Sequence, residues 1–487
     1  MAVHSRAEST ATTSAIESGQ STPGNNAPRS PTLFREGTTP GTNPFATPRV
    51  TTPMPSNSSE KSASGYFPRV AAPRRRFKSS RLVGQFEKPW LDKANRRFNW
   101  DSAIFYAGVA IALGIGAVIC WLKIKDVPKQ DLCLILDDKF KTLDKKVWNH
   151  EIQMNGFGTG SFDWTTDDPK NSYVDAQGLH IVPTMTLEST KITYGQLTNG
   201  YTVNLTKDGT CTLREQRITQ QTVNEWVRSQ PCAAISNATR GLIINPVRSA
   251  RLTTAGNKAI KYGRVEVVAK MPKGDWMWPA IWMMPQDSVY GEWPKSGEID
   301  IAESRGNDAE KYPLGDHIVS SALHWGTSYL NDAWYKTYGE WGGKRTKYTD
   351  GFHTYALEWS EKYIFTWLDG RLRQIVFFDF TKNKNMWTYG EFWRTAVNNT
   401  TPEDPWTQTG RSNTPFDQKF YLILNVAVGG TQGWFPDGMG TKPWADGSDT
   451  PMKDFWKANS TWLPSWGPVE NRGMIVQSVK MWQQGAC

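Results

Sequence analysis
From Ala103 to Leu122 the chain runs AIFYAGVAIALGIGAVICWL without a charged residue, long enough to cross a bilayer as a helix of about 30 Å. Such a segment divides whatever surrounds it into two compartments. It lies too deep in the chain for a cleaved signal peptide. Trp100, Tyr106 and Trp121 near its ends suit interfacial anchors, and Gly108, Gly114 and Gly116 are tolerated in a membrane helix. Residues 1–102 then form a tail, 103–122 a transmembrane helix, 123–132 a short stalk and 133–487 a folded domain. Close-range counting of basic residues leaves the orientation open. Lys88, Lys93, Arg96 and Arg97 on one side are matched by Lys123, Lys125, Lys129, Lys139 and Lys141 on the other.

The two sides differ in kind. Residues 1–102 carry 15 Lys+Arg against 7 Asp+Glu, while the remainder carries 41 against 40, so the net charge of +9 belongs to the tail. The domain offers no net positive field, which excludes nucleic acid as its partner. Of 24 tryptophans, 21 lie beyond Leu122, a composition suited to a neutral polymer with apolar ring faces. The tail is dense in Ser, Thr, Pro, Gly and Asn and reads as disordered, because its few apolar residues cannot offset the entropy of ordering it. Ser30-Pro31, Thr39-Pro40, Thr47-Pro48 and Thr52-Pro53 have the form of proline-directed phosphorylation sites. Arg74-Arg75-Arg76 with Lys78 and Arg81 reads as an anionic-lipid contact, a sorting signal or a solvated charge cluster.

Covalent chemistry supplies the orientation. Sequons stand at Asn204, Asn237, Asn398, Asn399 and Asn459, all after the span, with only Asn57 before it. Cys120 falls within the span, leaving Cys133, Cys211, Cys232 and Cys487 as an even set beyond it. Four cysteines allow three pairings. The local pair Cys211–Cys232 with the terminus-to-terminus pair Cys133–Cys487 is preferred, the other two remaining open. The expectation is a single-pass type II protein of the secretory pathway or plasma membrane, with its tail in the cytosol and its domain lumenal or extracellular.

Within that domain, apolar and aromatic residues recur with short periods between segments rich in Gly, Pro, Asn and Asp, an all-β signature. Strands are expected at Arg264 to Lys270, Glu298 to Glu303, Phe352 to Trp359, Tyr363 to Leu368, Arg373 to Phe378, Phe420 to Val428 and Met474 to Trp482. Asp369-Gly370 suits a tight hairpin between two of them. Many strands over this length give a two-sheet sandwich, and a jelly roll supplies the concave sheet a polymer needs. The segment from Glu188 to Arg240 reads as a surface elaboration, where a disulfide would contribute on the order of 3 kcal/mol.

Gly297-Glu298-Ile299-Asp300-Ile301-Ala302-Glu303-Ser304 places three carboxylates in a strand-like apolar run. Alternation puts Glu298 and Asp300 on one face with Ile299 and Ile301 behind them. Glu303, five residues on, falls on the wrong face unless a β-bulge at Ile301 or Ala302 returns it. The two glutamates would then stand roughly 13 Å apart along the backbone. Leaning together, their carboxyls reach about 5 to 6 Å, the separation of a retaining glycosidase. A charged edge strand is the plain alternative.

The neighbouring motifs decide between these. Tyr262-Gly263-Arg264-Val265-Glu266, Trp276-Met277-Trp278-Pro279-Ala280-Ile281-Trp282-Met283, Trp293-Pro294-Lys295-Ser296-Gly297-Glu298 and Glu303-Ser304-Arg305-Gly306-Asn307 resemble glycoside hydrolase family 16. The likeness is to its laminarinase-like branch and the related β-1,3-glucan-recognition proteins. It continues through Arg248-Ser249-Ala250-Arg251-Leu252, His324-Trp325, Phe352 to Trp359 and Leu424-Asn425-Val426-Ala427-Val428-Gly429-Gly430, most of residues 133–487. The resemblance implies a concanavalin A-like β-jelly roll acting on β-glucans with retention. It implies Glu298 as nucleophile, Asp300 as its helper and Glu303 as acid/base. Trp278, Trp282 and Trp293 become the expected sugar-stacking platforms, with Trp325 and Trp434 as further candidates. Arg251, His324 and Asn425 are candidate donors to sugar hydroxyls. Six histidines without ligand spacing give no catalytic metal, and no cofactor is expected; a structural calcium site stays open. Recognition proteins of this branch characteristically lack the catalytic carboxylates, which this chain retains. The function expected is a membrane-anchored β-1,3-glucanase or transglycosylase of fungal type in cell-wall glucan remodelling, the alternative being a glucan sensor or scaffold.

Overall fold
The computed structural model describes residues 83–85, 87–88, 100–125, 130–213, 231–395, 400–469 and 472–487. The Ser-Pro and Thr-Pro dipeptides of the tail, its basic cluster Arg74-Arg75-Arg76 with Lys78 and Arg81, Asn57, residues 126–129 of the stalk and the sequons at Asn398 and Asn399 lie outside the described residues. The uncharged run forms one helix, Trp100–Lys125. Its stretch Trp100–Leu122 has a mean hydropathy of 2.3 and, by length and composition alone, is able to cross a membrane.

Two eight-stranded sheets follow. The front sheet runs in the order Tyr338–Gly342, Ile318–His324, Glu298–Ser304, Met277–Pro285, Phe420–Val428, Arg251–Thr253 and Asn149–His150, with Ala259–Ile260 also on Phe420–Val428. The back sheet runs Gln374–Asp379, Tyr363–Leu368, His353–Trp359, Gly263–Lys270, Met474–Gln484, Gly178–Ile181 and Ser172–Asp175, with Leu132–Asp138 also on Met474–Gln484. Met277–Pro285, Glu298–Ser304, Ile318–His324 and Tyr338–Gly342 follow one another within the front sheet and His353–Trp359, Tyr363–Leu368 and Gln374–Asp379 within the back sheet, before Phe420–Val428 returns to the front and Met474–Gln484 to the back, so the two layers of the sandwich are tied by crossovers. In Gly263–Lys270 the pleat is explicit: Gly263, Val265, Val267 and Ala269 are buried, while Arg264, Glu266, Val268 and Lys270 are partly exposed.

Between the sheets, Ile281, Met283, Ile299, Ile301, Leu424 and Val426 belong to the same apolar core as Val265, Val267, Tyr355, Leu357, Val479 and Met481. None is more than 1% exposed. Truncation of one of them, as in Ile281→Ala, costs about 2–5 kcal/mol because the packed layer cannot collapse into the hole. Cys133 is joined to Cys487 and Cys211 to Cys232. The segment they staple holds two short helices, Thr186–Ser189 and Tyr194–Thr198, and the hairpin Thr202–Asn204 with Ala233–Ile235.

One turn differs from expectation. Asp369 takes the left-handed conformation (φ 59°), but the connection extends to Arg373, whose carbonyl accepts from Leu368 N. The Asp369 carboxylate, which accepts from Thr354 N and meets Arg373 and His353, holds a longer loop than an Asp-Gly hairpin needs.

Candidate active site
Gly297 begins the site. It sits at φ +81°, and a Cβ there would stand 3.1 Å from the Phe416 ring, so the turn into the strand takes glycine. Glu298–Ser304 then pairs with Met277–Pro285 through Ala280 opposite Glu303, Ile281 opposite Ala302 and Trp282 opposite Asp300, leaving Ile301 without a partner. On the other side Asp300 and Glu303 oppose Ala322 and Ser320, so that two residues, Ile301 and Ala302, stand against one, Ser321. That is a β-bulge at Ile301, and it turns Glu303 back to the face of Glu298 and Asp300. The register draws two rows across the sheet. One is Arg251, Asn425, Ala280, Glu303, Ser320 and Glu340; the other is Thr253, Ile423, Trp282, Asp300, Ala322 and Tyr338.

Indole donors serve both glutamates. Trp293 Nε1 donates to Glu298 Oε2 at 2.6 Å, and Trp278 Nε1 donates to Glu303 Oε1 at 2.9 Å. Asp300 lies between them, 2% exposed. His324, opposite Glu298 on the next strand, brings Nε2 to 3.1 Å from Asp300 Oδ2 and Nδ1 to 2.5 Å from Asp332 Oδ2. Asp332 is fixed in turn by Trp325 N at 3.1 Å.

Such a cluster resists ionising. Burial first, then the Asp300 charge, lifts Glu298 to about 8 against the pull of His324 and the Trp293 donor. Burial first, then Glu303, lifts Asp300 to about 6. Glu303 is also raised, by burial above all, with the Trp278 N–H opposing. For His324 burial, the largest influence, favours the neutral ring, but Asp300, Asp332 and Glu298 together outweigh it and carry the imidazole well above its ordinary value. Glu298, Asp300 and Glu303 thus hold protons to higher pH than free carboxylates do, while Asp300 and Asp332 hold a proton on the imidazole between them. Among the described residues Glu298, Asp300 and His324 are the group able to hold a cation, with ligand atoms within 4.8 Å of one another. An ion held there would have to displace the proton that Asp300 and Asp332 keep on the imidazole.

Around the carboxylates the expected platforms differ in exposure. Trp293 is 40% exposed and edges the site, its ring 5.8 Å from His324. Trp278 is partly buried and stacks on Trp434 at 4.9 Å and 8°. The Arg305 guanidinium lies 3.8 Å from the centre of the Trp434 ring. Trp282 donates to Asn425 Oδ1 at 2.7 Å, which leaves the Asn425 amide N–H groups to give. Arg251 is 8% exposed, lies against Trp282 and Phe157, and gives Nε to Glu151. Trp325 is a correction: fully buried, it packs in the core with Nε1 on Thr337, because alternation after His324 turns it inward. Both ring nitrogens of His324 face carboxylates, so its place is inside the cluster rather than toward a sugar. Asp332, and Trp334 over His324 at 6.3 Å, carry no periodic signal that would have marked them beforehand.

Of the sequons, Asn204 is exposed while Asn237 and Asn459 are partly covered.

The profile of "Glycosyl hydrolases family 16" matches residues 202–412. A relative, the "Beta-1,3-glucan-binding protein" of Penaeus monodon, is 39% identical over 361 residues, 72% of this chain and 90% of that protein. The chain belongs to glycosyl hydrolase family 16. Another relative in sequence is "Glucan endo-1,3-beta-glucosidase A1" of Niallia circulans, 37% identical over 183 residues, 37% of this chain and 22% of that protein. Among solved structures, the laminarinase of Rhodothermus marinus aligns with a TM-score of 0.42 at 21% identity, over 74% of this chain and 100% of that one.

Proposed function
We propose that this family 16 domain cleaves, or cleaves and rejoins, β-1,3-linked glucan with retention of configuration. The observation that carries the reading is the bulge at Ile301, which gathers Glu298, Asp300 and Glu303 on one face with an indole donor on each glutamate. In the first half-reaction Glu298 attacks C1 of a glucosyl unit while Glu303 gives its proton to the departing glycosidic oxygen. The C1–O bond to the leaving chain breaks as the C1–Glu298 ester forms. In the second half, Glu303 takes a proton from water or a sugar hydroxyl, whose oxygen attacks C1 and releases Glu298. Glu298 attacks as the carboxylate, so any proton it holds must leave first, and Asp300, whose charge it feels most, is the neighbouring acceptor.

The uncharged helix supports an anchor, and the two disulfides and the sequons beyond it support a type II arrangement with the domain outside the cytosol, where wall glucan is the substrate at hand. The names of the Penaeus and Niallia relatives support the β-1,3 linkage. A second reading, glucan binding without turnover, is favoured by the name of the Penaeus protein. The test is to incubate the full-length protein in detergent with laminarin, lichenan and xyloglucan and to weigh the products. Shortened laminarin, or chains longer than those supplied, supports the enzyme; tight laminarin binding with unchanged masses sinks it. Incorporation of 18O from labelled water separates hydrolysis from transfer.

A further inference from the structure
Away from the carboxylates, a cavity of about 470 Å3 opens in the stapled segment, within the roughly 300–1,000 Å3 of small-ligand sites. Trp164, Ile192, Tyr201 and Val203 give it apolar wall, and Gln196 and Asn204 give it polar wall. Trp164 carries the Arg248 guanidinium 5.0 Å from its ring centre, and among the described residues its indole N–H has no partner. Asn204 ends the strand Thr202–Asn204 and heads the sequence Asn204-Leu205-Thr206. Its Oδ1 accepts from Lys207 N at 2.9 Å, which fixes the side-chain amide and leaves Nδ2 unbonded among the described residues. Nδ2 is the atom an N-glycan is joined to.

The glycan-acceptor residue Asn204 thus lines the same cavity as the aromatic side chains of Trp164 and Tyr201. We propose that this cavity seats the first sugars of an N-linked glycan on Asn204, with the acetamido sugar packed on Trp164 and Tyr201. The apolar ring face of the sugar meets the aromatic wall, and its hydroxyls and acetamide meet Gln196 and the Trp164 N–H. Seated in this way, the glycan would cover the hairpin that Cys211–Cys232 staples and become part of the domain. The proposal rests on the placement of the domain outside the cytosol.

The full-length chain, produced in a eukaryotic secretory host under conditions that leave glycans susceptible to an endoglycosidase, is digested native and denatured. Release at each sequon is followed by peptide mass. The Asn204 glycan is expected to be released at least about tenfold more slowly than those on Asn237 or Asn459 in the native protein, and at equal rates once denatured, since cleavage must wait for local opening. Trp164→Ala is expected to abolish the protection and Trp164→Phe to keep most of it. An occupied Asn237 or Asn459 with bare Asn204, equal native rates, or protection unchanged in Trp164→Ala each overturns the seat alone. No glycan at any sequon overturns the non-cytosolic placement and the seat together.

Discussion
The outward faces of the two sheets treat glutamate in opposite ways. On the back sheet Glu358, 4% exposed, accepts from Arg371 at 2.6 and 3.1 Å and from the Tyr363 hydroxyl at 2.7 Å, while Glu266 pairs with Arg264. On the front sheet Glu298 and Glu303 receive one indole N–H each and share a single imidazole with Asp300. Same residue, same kind of strand, different company: a carboxylate beside guanidinium holds structure, whereas carboxylates crowded together hold protons.

The sharpest break of that comparison is to neutralise one glutamate on each face. Glu298→Gln is expected to lower laminarin turnover at least about 10^3-fold, by removing the nucleophile, with folding intact. Glu358→Gln is expected to leave turnover within about twofold and to cost about 1–3 kcal/mol in urea unfolding, its partner Arg371 being half exposed. Equal effects of the two on turnover would erase the distinction.

Next comes Glu303→Gln. Its loss on laminarin is set at about 10^2–10^4-fold, the usual worth of a general acid. An aryl glucoside whose phenolate leaves without protonation should form the covalent intermediate at near wild-type rate, read as a burst of phenolate. Absence of that burst would remove Glu303 from the acid role.

A smaller effect concerns stability. Burial raises the folded-state values of Glu298 to about 8 and Asp300 to about 6, above unfolded values near 4, so the folded form binds those protons more tightly. Their contribution is complete below about pH 4 and is lost as pH rises through 6 and then 8. Thermal scans should show the wild-type Tm falling between pH 5 and pH 8.5, with a shallower fall in Glu298→Gln. A steeper fall in the variant would reverse the sign.

The smallest change is expected from Asp332→Asn. Removing that charge should lower the His324 pKa, visible in its imidazole NMR titration, and reduce kcat by about tenfold or less while KM holds. An unmoved titration would mean that Asp332 does not set the His324 charge.

Much of the site was legible because its chemistry is local in sequence. The spacing of Glu298, Asp300 and Glu303 cannot share one face of a regular strand, and the bulge at Ile301 resolves it. Tyr363–Leu368 and Phe420–Val428 have the bounds their apolar runs suggest. Met277–Pro285 was not readable as a strand: Pro279 and Pro285 interrupt it, and large apolar side chains on both faces hide the alternation. Asp332 escaped because its partner is met across an irregular loop rather than at a fixed period. Trp325 was misjudged although the rule that buries it, alternation next to His324, was already in hand.

The bond between Cys133 and Cys487 has a mechanical consequence. Leu132–Asp138 is the first strand after the stalk, and it lies along Met474–Gln484, the last strand of the chain. Tension arriving from an anchor while a bound polymer holds the other sheet would act first on that terminal pair, in shear. The crosslink passes the load directly from the first strand to the last, so this terminal pair would not shear apart before the force has spread through the rest of the sandwich.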